Sequence, residues 1–240
     1  MRQIGHLFWW WLDYLYAGWQ QTRAIFRRGQ PRAFAEGDSA LPALVLLPGV
    51  YETWLFLEPL AKRLNARGYR VFAVPELSFN RMPVLRSAEV VAAAITRLAD
   101  EHGIGQFILL AHSKGGLIGK QLMLSETGTA PVIGMVAIAT PFSGSSYAQY
   151  FPSSTLQAFS PLDETLKSLL THENVNADIV SIYPEFDPHI PAKSSLVGAT
   201  NVELPIAGHF VLLGNSLLGN AVERAVTELE IGRASCRERV

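Results

Sequence analysis

Between an apolar run and an amphipathic one, the chain carries His112-Ser113-Lys114-Gly115-Gly116. The run before it, residues 106–111 (QFILLA), reads as a buried strand, and residues 114–124 read as a helix. A serine on a sharp strand-to-helix turn projects its hydroxyl above the sheet edge, where a base and a substrate can reach it. Such a turn needs small neighbours, and Ala111 and Gly115 stand two residues either side of Ser113. The helix that follows aims its first N–H groups at negative charge developing over the turn. A serine hydroxyl is a weak nucleophile without a base, and the base needs a carboxylate to orient it. His209, in Ala207-Gly208-His209-Phe210, and His189, just past the strand-like IVSIY, are the two candidate bases. Asp187 and Glu185, close before His189, are the candidate carboxylates. His6, His102 and His172 fall inside or at the ends of helical stretches, and His112 fits a structural role along the strand.

The elements that must position these residues alternate in kind. Strands are expected over 43–47, 69–74, 106–111, 132–139, 179–183 and 201–204. Helices are expected over 54–66, from a Ser87 cap to 101, over 114–124, from Ser160-Pro161 to 170, and over 211–229. Continuously apolar strands alternating with helices imply an α/β protein, with a mostly parallel sheet of about six strands and helices on both faces.

In these residues the chain resembles the α/β-hydrolases, and within them the bacterial lipase and esterase group. That group carries Gly-x-Ser-x-Gly, here with Ala111 in the first glycine's place, and Thr-Pro-His-x-Gly-Ser, matched by Thr140 and PFSGS at 141–145. The resemblance spans roughly 43–218. It implies the α/β-hydrolase fold with a short lid insertion, and a chain order of Ser, then acid, then His. Ser113 is then the nucleophile, Asp187 (with Glu185 as the alternative) the acid and His209 (with His189 as the alternative) the base. The backbone N–H of Lys114 and, by resemblance, that of Val50 after Pro48-Gly49 form the oxyanion hole. The group has His where Pro48 stands, so a side-chain hydrogen bond steadying that loop is expected to be missing. Tyr51, Phe142 and Tyr147 are expected to line the acyl pocket, and residues 144–172 to form the lid, whose aromatics Tyr147, Tyr150, Phe151 and Phe159 fit an apolar substrate. The expected activity is hydrolysis of lipid or acyl esters. Acyl transfer and thioester hydrolysis use the same residues, and a non-catalytic membrane-associated binding module is the reading from another class.

Composition sets the outer limits. With 49% hydrophobic and 17% charged residues in 240, the chain is neither disordered nor fibrous. A formal net charge of −1 gives no basic surplus for nucleic acid. One Cys excludes a disulfide framework and a Cys-based zinc site, and the chemistry above calls for no metal or cofactor. Four of the five Trp fall within the first 19 residues, and Ile4, Phe8, Trp11, Leu12, Leu15, Trp19 and Phe26 recur at helical spacing. Residues 1–29 therefore read as an amphipathic helix with Arg23, Arg27 and Arg28 at its end. It either lies in a membrane interface through residues 1–28, with the arginines facing anionic lipid, or packs on the main domain of residues 30–229. Asp13 interrupts the apolar face, and no signal-peptide cleavage site follows it, so a cytoplasmic protein, peripheral at most to the inner membrane face, is expected. The tail EIGRASCRERV, residues 230–240, resembles a translated sequencing adapter, and the native chain is expected to stop near Leu229.

Overall fold

A computed structural model describes residues 2–27, 29–30, 32–125, 132–150 and 153–237. Its centre is one sheet of six parallel strands: β1 (Ala43–Leu47), β2 (Val71–Ala73), β3 (Phe107–His112), β4 (Val132–Ile138), β5 (Ile179–Phe186) and β6 (Thr200–Ala207). They lie side by side in the order β2-β1-β3-β4-β5-β6. Leu47 pairs with Ala111, Ala111 with Ala137, and Phe186 with Ala207, so the strands end along a common carboxyl edge. Ligands of open parallel sheets bind outside that edge.

Alternate strand residues feed two cores. Val45, Leu47, Leu109, Ala111 and Met135 face α3 (Val84–His102), α4 (Lys114–Leu124) and α6 (Glu164–Thr171). Leu44, Leu46, Ile108, Leu110 and Val136 face α2 (Glu58–Asn65) and α7 (Ser216–Arg237). Each Val, Leu, Ile or Met side chain buried this way contributes about 1.5–3 kcal/mol. The central strands have no solvated face, which is why they read as unbroken apolar runs.

Helix starts differ from expectation. Pro83, with φ −54°, leads directly into α3 at Val84, and Ser87 lies buried inside that helix instead of capping it. Asp163, not Ser160, caps α6, accepting hydrogen bonds from the N–H groups of Thr165 and Leu166. The stretch after residue 210 begins as a short 3-10 turn, Val211–Gly214, and α7 starts only at Ser216. α7 then continues through residue 229 to Arg237 without a break.

The N-terminal segment is a 25-residue helix, α1 (Arg2–Phe26). Its inner side buries Asp13, Gln20 and Ala24 and packs Tyr16 and Ala17 against the second core. Phe8, Trp11, Leu15, Trp19 and Phe26 remain exposed on its outer side. Arg23 and Arg27 do not point away from the protein. Both pair with the buried Glu58 of α2, Arg27 at 3.0 Å, with Lys62 at 3.2 Å. Burial opposes charge on Glu58, but the hydrogen bonds and attraction of Arg23 and Lys62 outweigh it and hold its carboxyl below the ordinary range. Arg28 lies outside the described residues. No helix among the described residues is long and apolar enough to cross a membrane.

Candidate active site

Ser113 joins β3 to α4 with a positive φ, 50°, and ψ −120°, a conformation that an L-residue adopts only when its surroundings enforce it. The backbone N–H of Ser113 donates to Ile138 O of β4 at 2.8 Å. A Cβ on Gly115 would lie 1.9 Å from the Leu47 carbonyl oxygen, so α4 can approach β1 only with glycine there. Ala111, where the lipase group has glycine, is accommodated as a fully buried residue of regular β3.

The loops leaving β5 and β6 bring up the other two groups. His209 Nδ1 lies 2.8 Å from Asp187 Oδ2. The other carboxylate oxygen of Asp187 accepts the backbone N–H of His189 at 2.7 Å and of Ile190 at 3.0 Å. Glu185 is exposed on β5, so Asp187 is the carboxylate that meets the imidazole. Burial raises the Asp187 pKa, but the charge of His209 and the hydrogen bonds from His209 and the His189 backbone hold its carboxyl below the ordinary value of 3.8. Burial disfavours charge on His209, but attraction and a hydrogen bond from Asp187 overcome it, with Asp13 and Glu52 adding at longer range. Its pKa stands above the ordinary 6.5. His189 behaves oppositely. Burial, then the charge of His209, push it down to about 3, so this ring is neutral and does not share the carboxylate of Asp187.

Ser113 and His209 both line one cavity of about 430 Å³ with mostly apolar walls. Val50, Tyr51 and Tyr147, expected at the site, are in its wall, together with Pro141, Leu156 and Phe159. Phe142 is not. Its neighbour Pro141 faces the cavity, and Phe142 turns into the first core. Of the other aromatics expected in the lid, Tyr150 is exposed away from the cavity and Phe151 lies outside the described residues. Beside them, with Trp10 edge-on to Tyr147 at 6.3 Å, α1 supplies Trp10, Tyr14, Ala17, Gly18 and Gln21 to the wall, a contribution the sequence did not announce. Gln21 Nε2 donates to the Tyr51 carbonyl at 3.3 Å, and the Tyr51 hydroxyl meets Ser153 Oγ at 3.0 Å.

Lys114 opens α4 beside Ser113, with its backbone N–H among the unsatisfied donors that begin a helix. Its side chain turns inward, where Nζ donates to the Asn80 carbonyl at 2.8 Å and to that of Met82, and burial pushes the ammonium down to about 8. The loop after β1 is steadied without the histidine that Pro48 replaces. Asn80 Nδ2 donates to the Pro48 carbonyl at 2.6 Å, and Gly49 N–H donates to Glu52 at 2.8 Å. Glu52 in turn bonds His112 Nδ1 at 2.9 Å, and His112 Nε2 donates to the His209 carbonyl at 3.0 Å. Glu52 was not legible as a site residue, since its partner lies 60 positions away.

Comparison with solved structures matches this architecture. The mature form of a Bacillus licheniformis lipase superposes with TM-score 0.61 at 15% identity, covering 79% of this chain and 94% of that one. This chain has the α/β-hydrolase fold. Aspergillus fumigatus lipase B shares this hydrolase fold with TM-score 0.60 at 19% identity, over 79% of this chain and 53% of that one. So does the 2-hydroxy-6-oxo-6-phenylhexa-2,4-dienoate hydrolase of a Rhodococcus strain, with TM-score 0.55 at 16% identity, over 79% and 92%. No family model matches the sequence, and no curated protein matches it.

Proposed function

We propose that this protein is a serine hydrolase that cleaves carboxylic esters with apolar acyl groups. The observation that carries the reading is the Asp187–His209 contact of 2.8 Å at a cavity whose wall also holds Ser113 in its strained turn. Ser113 Oγ attacks the ester carbonyl while His209 takes its proton, and the resulting imidazolium is stabilised by Asp187. The oxyanion is held by the backbone N–H groups of Val50 and Lys114. His209 then protonates the leaving alcohol, and water activated by the same imidazole releases the acid and restores Ser113. The apolar walls, with Tyr147 and Phe159 from the lid segment and Trp10 and Tyr14 from α1, fit the acyl chain. A fluorophosphonate probe, together with short and long p-nitrophenyl esters, tests the reading. The probe should label the native protein and not Ser113→Ala, and equal labelling of both would end the assignment.

The outer face of α1 favours a lipid-surface substrate. Phe8, Trp11, Leu15, Trp19 and Phe26 form an exposed apolar stripe on the helix that walls the cavity. With Arg23 and Arg27 paired to Glu58, such binding rests on apolar contact more than on anionic attraction. Co-sedimentation with phosphatidylcholine vesicles, weakened in Trp11→Ala/Trp19→Ala, tests this. Undiminished sedimentation of the double variant would refute it.

A further inference from the structure

Asp13 is wholly buried, yet it belongs to a helix that precedes the first strand and is separated from the catalytic loop by most of the chain. Its carboxylate accepts three consecutive backbone N–H groups: His209 at 2.7 Å on one oxygen, and Phe210 and Val211, each at 2.9 Å, on the other. These donors open the 3-10 turn Val211–Gly214, which has no side-chain cap of its own. The carboxylate therefore does from outside what an N-cap residue does from within, and with a full charge.

The fit around it is close. Gly208 has φ 104°, and a Cβ there would come within 3.0 Å of Asp13 Oδ1 and 2.4 Å of a Val211 methyl. Glycine at 208 thus permits both the turn and the approach of Asp13. Asp13 does not reach the cavity wall, although Trp10, Tyr14 and Ala17 on the same helix do. A buried carboxylate costs several kcal/mol in desolvation unless it is fully hydrogen-bonded, and this one spends its bonds on the backbone that carries His209.

We propose that Asp13 is a positioning residue for the catalytic base: it fixes the His209 backbone so that the imidazole meets Asp187 on one side and the cavity on the other, and it adds negative charge beside the imidazolium formed in turnover. The proposal rests on the hydrolase reading above. It makes α1 part of the catalytic apparatus: with the helix unseated, the His209 turn loses its cap and turnover falls even on a small soluble ester.

The test compares Asp13→Asn, Asp13→Glu and Ser113→Ala in the full chain with p-nitrophenyl butyrate. Asp13→Asn removes the charge and sets an amide N–H2 against a backbone donor. Its kcat should fall about 10- to 100-fold, the loss typical of a catalytic group displaced by a fraction of an ångström to an ångström. KM should stay within about threefold, since Asp13 does not line the cavity. The acid limb of kcat/KM should move to lower pH: Asp187, Asp13 and Glu52 are the charges that raise the imidazole, and one of them is lost, while the neutral His189, 3.9 Å from Asp13, leaves the balance unchanged. Asp13→Glu, which keeps the charge, should hold the limb in place, a distinction that a purely structural role would not produce. A native kcat and limb in Asp13→Asn, with Ser113→Ala inactive, would overturn the proposal and leave the hydrolase reading standing. Full activity in Ser113→Ala would overturn the hydrolase reading and this proposal with it. Should Asp13→Asn fail to fold, hydrogen exchange in the native protein decides. The amides of residues 209–211 should exchange no faster than those of residues 10–17, and free exchange at 209–211 under a protected α1 would overturn the proposal.

Discussion

Two buried carboxylate–histidine pairs stand side by side in this molecule, their imidazole rings 4.8 Å apart. In one, His112 is bonded at Nδ1 by Glu52 and donates from Nε2 to the His209 carbonyl, so both ring nitrogens are occupied. In the other, His209 is bonded at Nδ1 by Asp187 and presents the rest of its ring to the cavity that also contains Ser113. Burial and a carboxylate partner are common to both. A nitrogen bound to a fixed carbonyl braces two loops, whereas a ring free on its cavity side can exchange a proton with a ligand. The first pair ties the β1 loop, through Gly49, to the His209 loop, and the second uses that geometry.

Breaking each pair in turn should separate the two roles. Asp187→Asn should lower kcat by about 10⁴-fold with the fold intact, because the imidazole loses its tautomer and the stabilisation of its charge. Glu185→Gln should leave kcat within about twofold, and steady-state rates on a soluble ester measure both. Glu52→Gln should do the reverse: a stability loss of about 3 kcal/mol, as for a buried pair losing one partner, with kcat reduced by no more than about tenfold. At this chain length that is a fall of about 6–12 °C in Tm, read in a thermal melt. A Glu52 variant as inactive as Asp187→Asn, yet equally stable, would erase the distinction.

The pH dependence sharpens it further. His209 must be neutral to accept a proton, and its pKa stands above 6.5, so kcat/KM should fall as pH drops through a midpoint above 6.5. The linked stability has the opposite sense: the charged His209 contributes it below 6.5, and it is lost as pH rises through the folded value. Asp187, held below 3.8, contributes stability above 3.8 that is lost as pH falls through its folded value. Glu52→Gln should move the midpoint slightly downward, because Glu52 is one of the charges that raise His209.

The smallest effect concerns a buried charge with no such partner. Lys120 of α4 is fully buried, its Nζ has no hydrogen-bond partner among the described residues, and burial pushes it down to about 8. Lys120→Met should raise stability at pH 7 by about 1 kcal/mol, or about 2–4 °C in Tm. The gain should shrink from pH 8 upward to 10.5, where the folded native protein has shed a proton that the unfolded chain keeps. A thermal melt series across that range checks it.

What could be read from the sequence was what local pattern encodes. Ser113 was legible because the strand, the turn and the helix that position it are contiguous, and the six strands because the central ones are apolar on both faces. Asp187 and His209 followed from loop placement and chain order. Asp13 and Glu52 were not legible in their roles, because each serves backbone or imidazole groups 60 or more positions away. The one trace was a charge breaking the apolar face of α1, which sequence alone turns only into an argument against a signal peptide. Phe142 misled because it adjoins a residue that faces the cavity, and in an irregular loop alternation gives no rule for which of two neighbours turns inward.

The contact between Asp13 and the His209 loop spans 196 residues of chain. Synthesis at about 5–20 residues per second places roughly 10–40 s between the appearance of the two partners at the ribosome. During that interval α1 can already meet α2, where Arg23 and Arg27 pair with Glu58, but its buried Asp13 lacks the backbone groups that it caps. Contacts this far apart in the chain also carry a larger loop-closure entropy, which slows folding. The His209 loop therefore cannot take its cap until β6 and the turn after it have been made, and until then the Asp13 carboxylate is without these three donors.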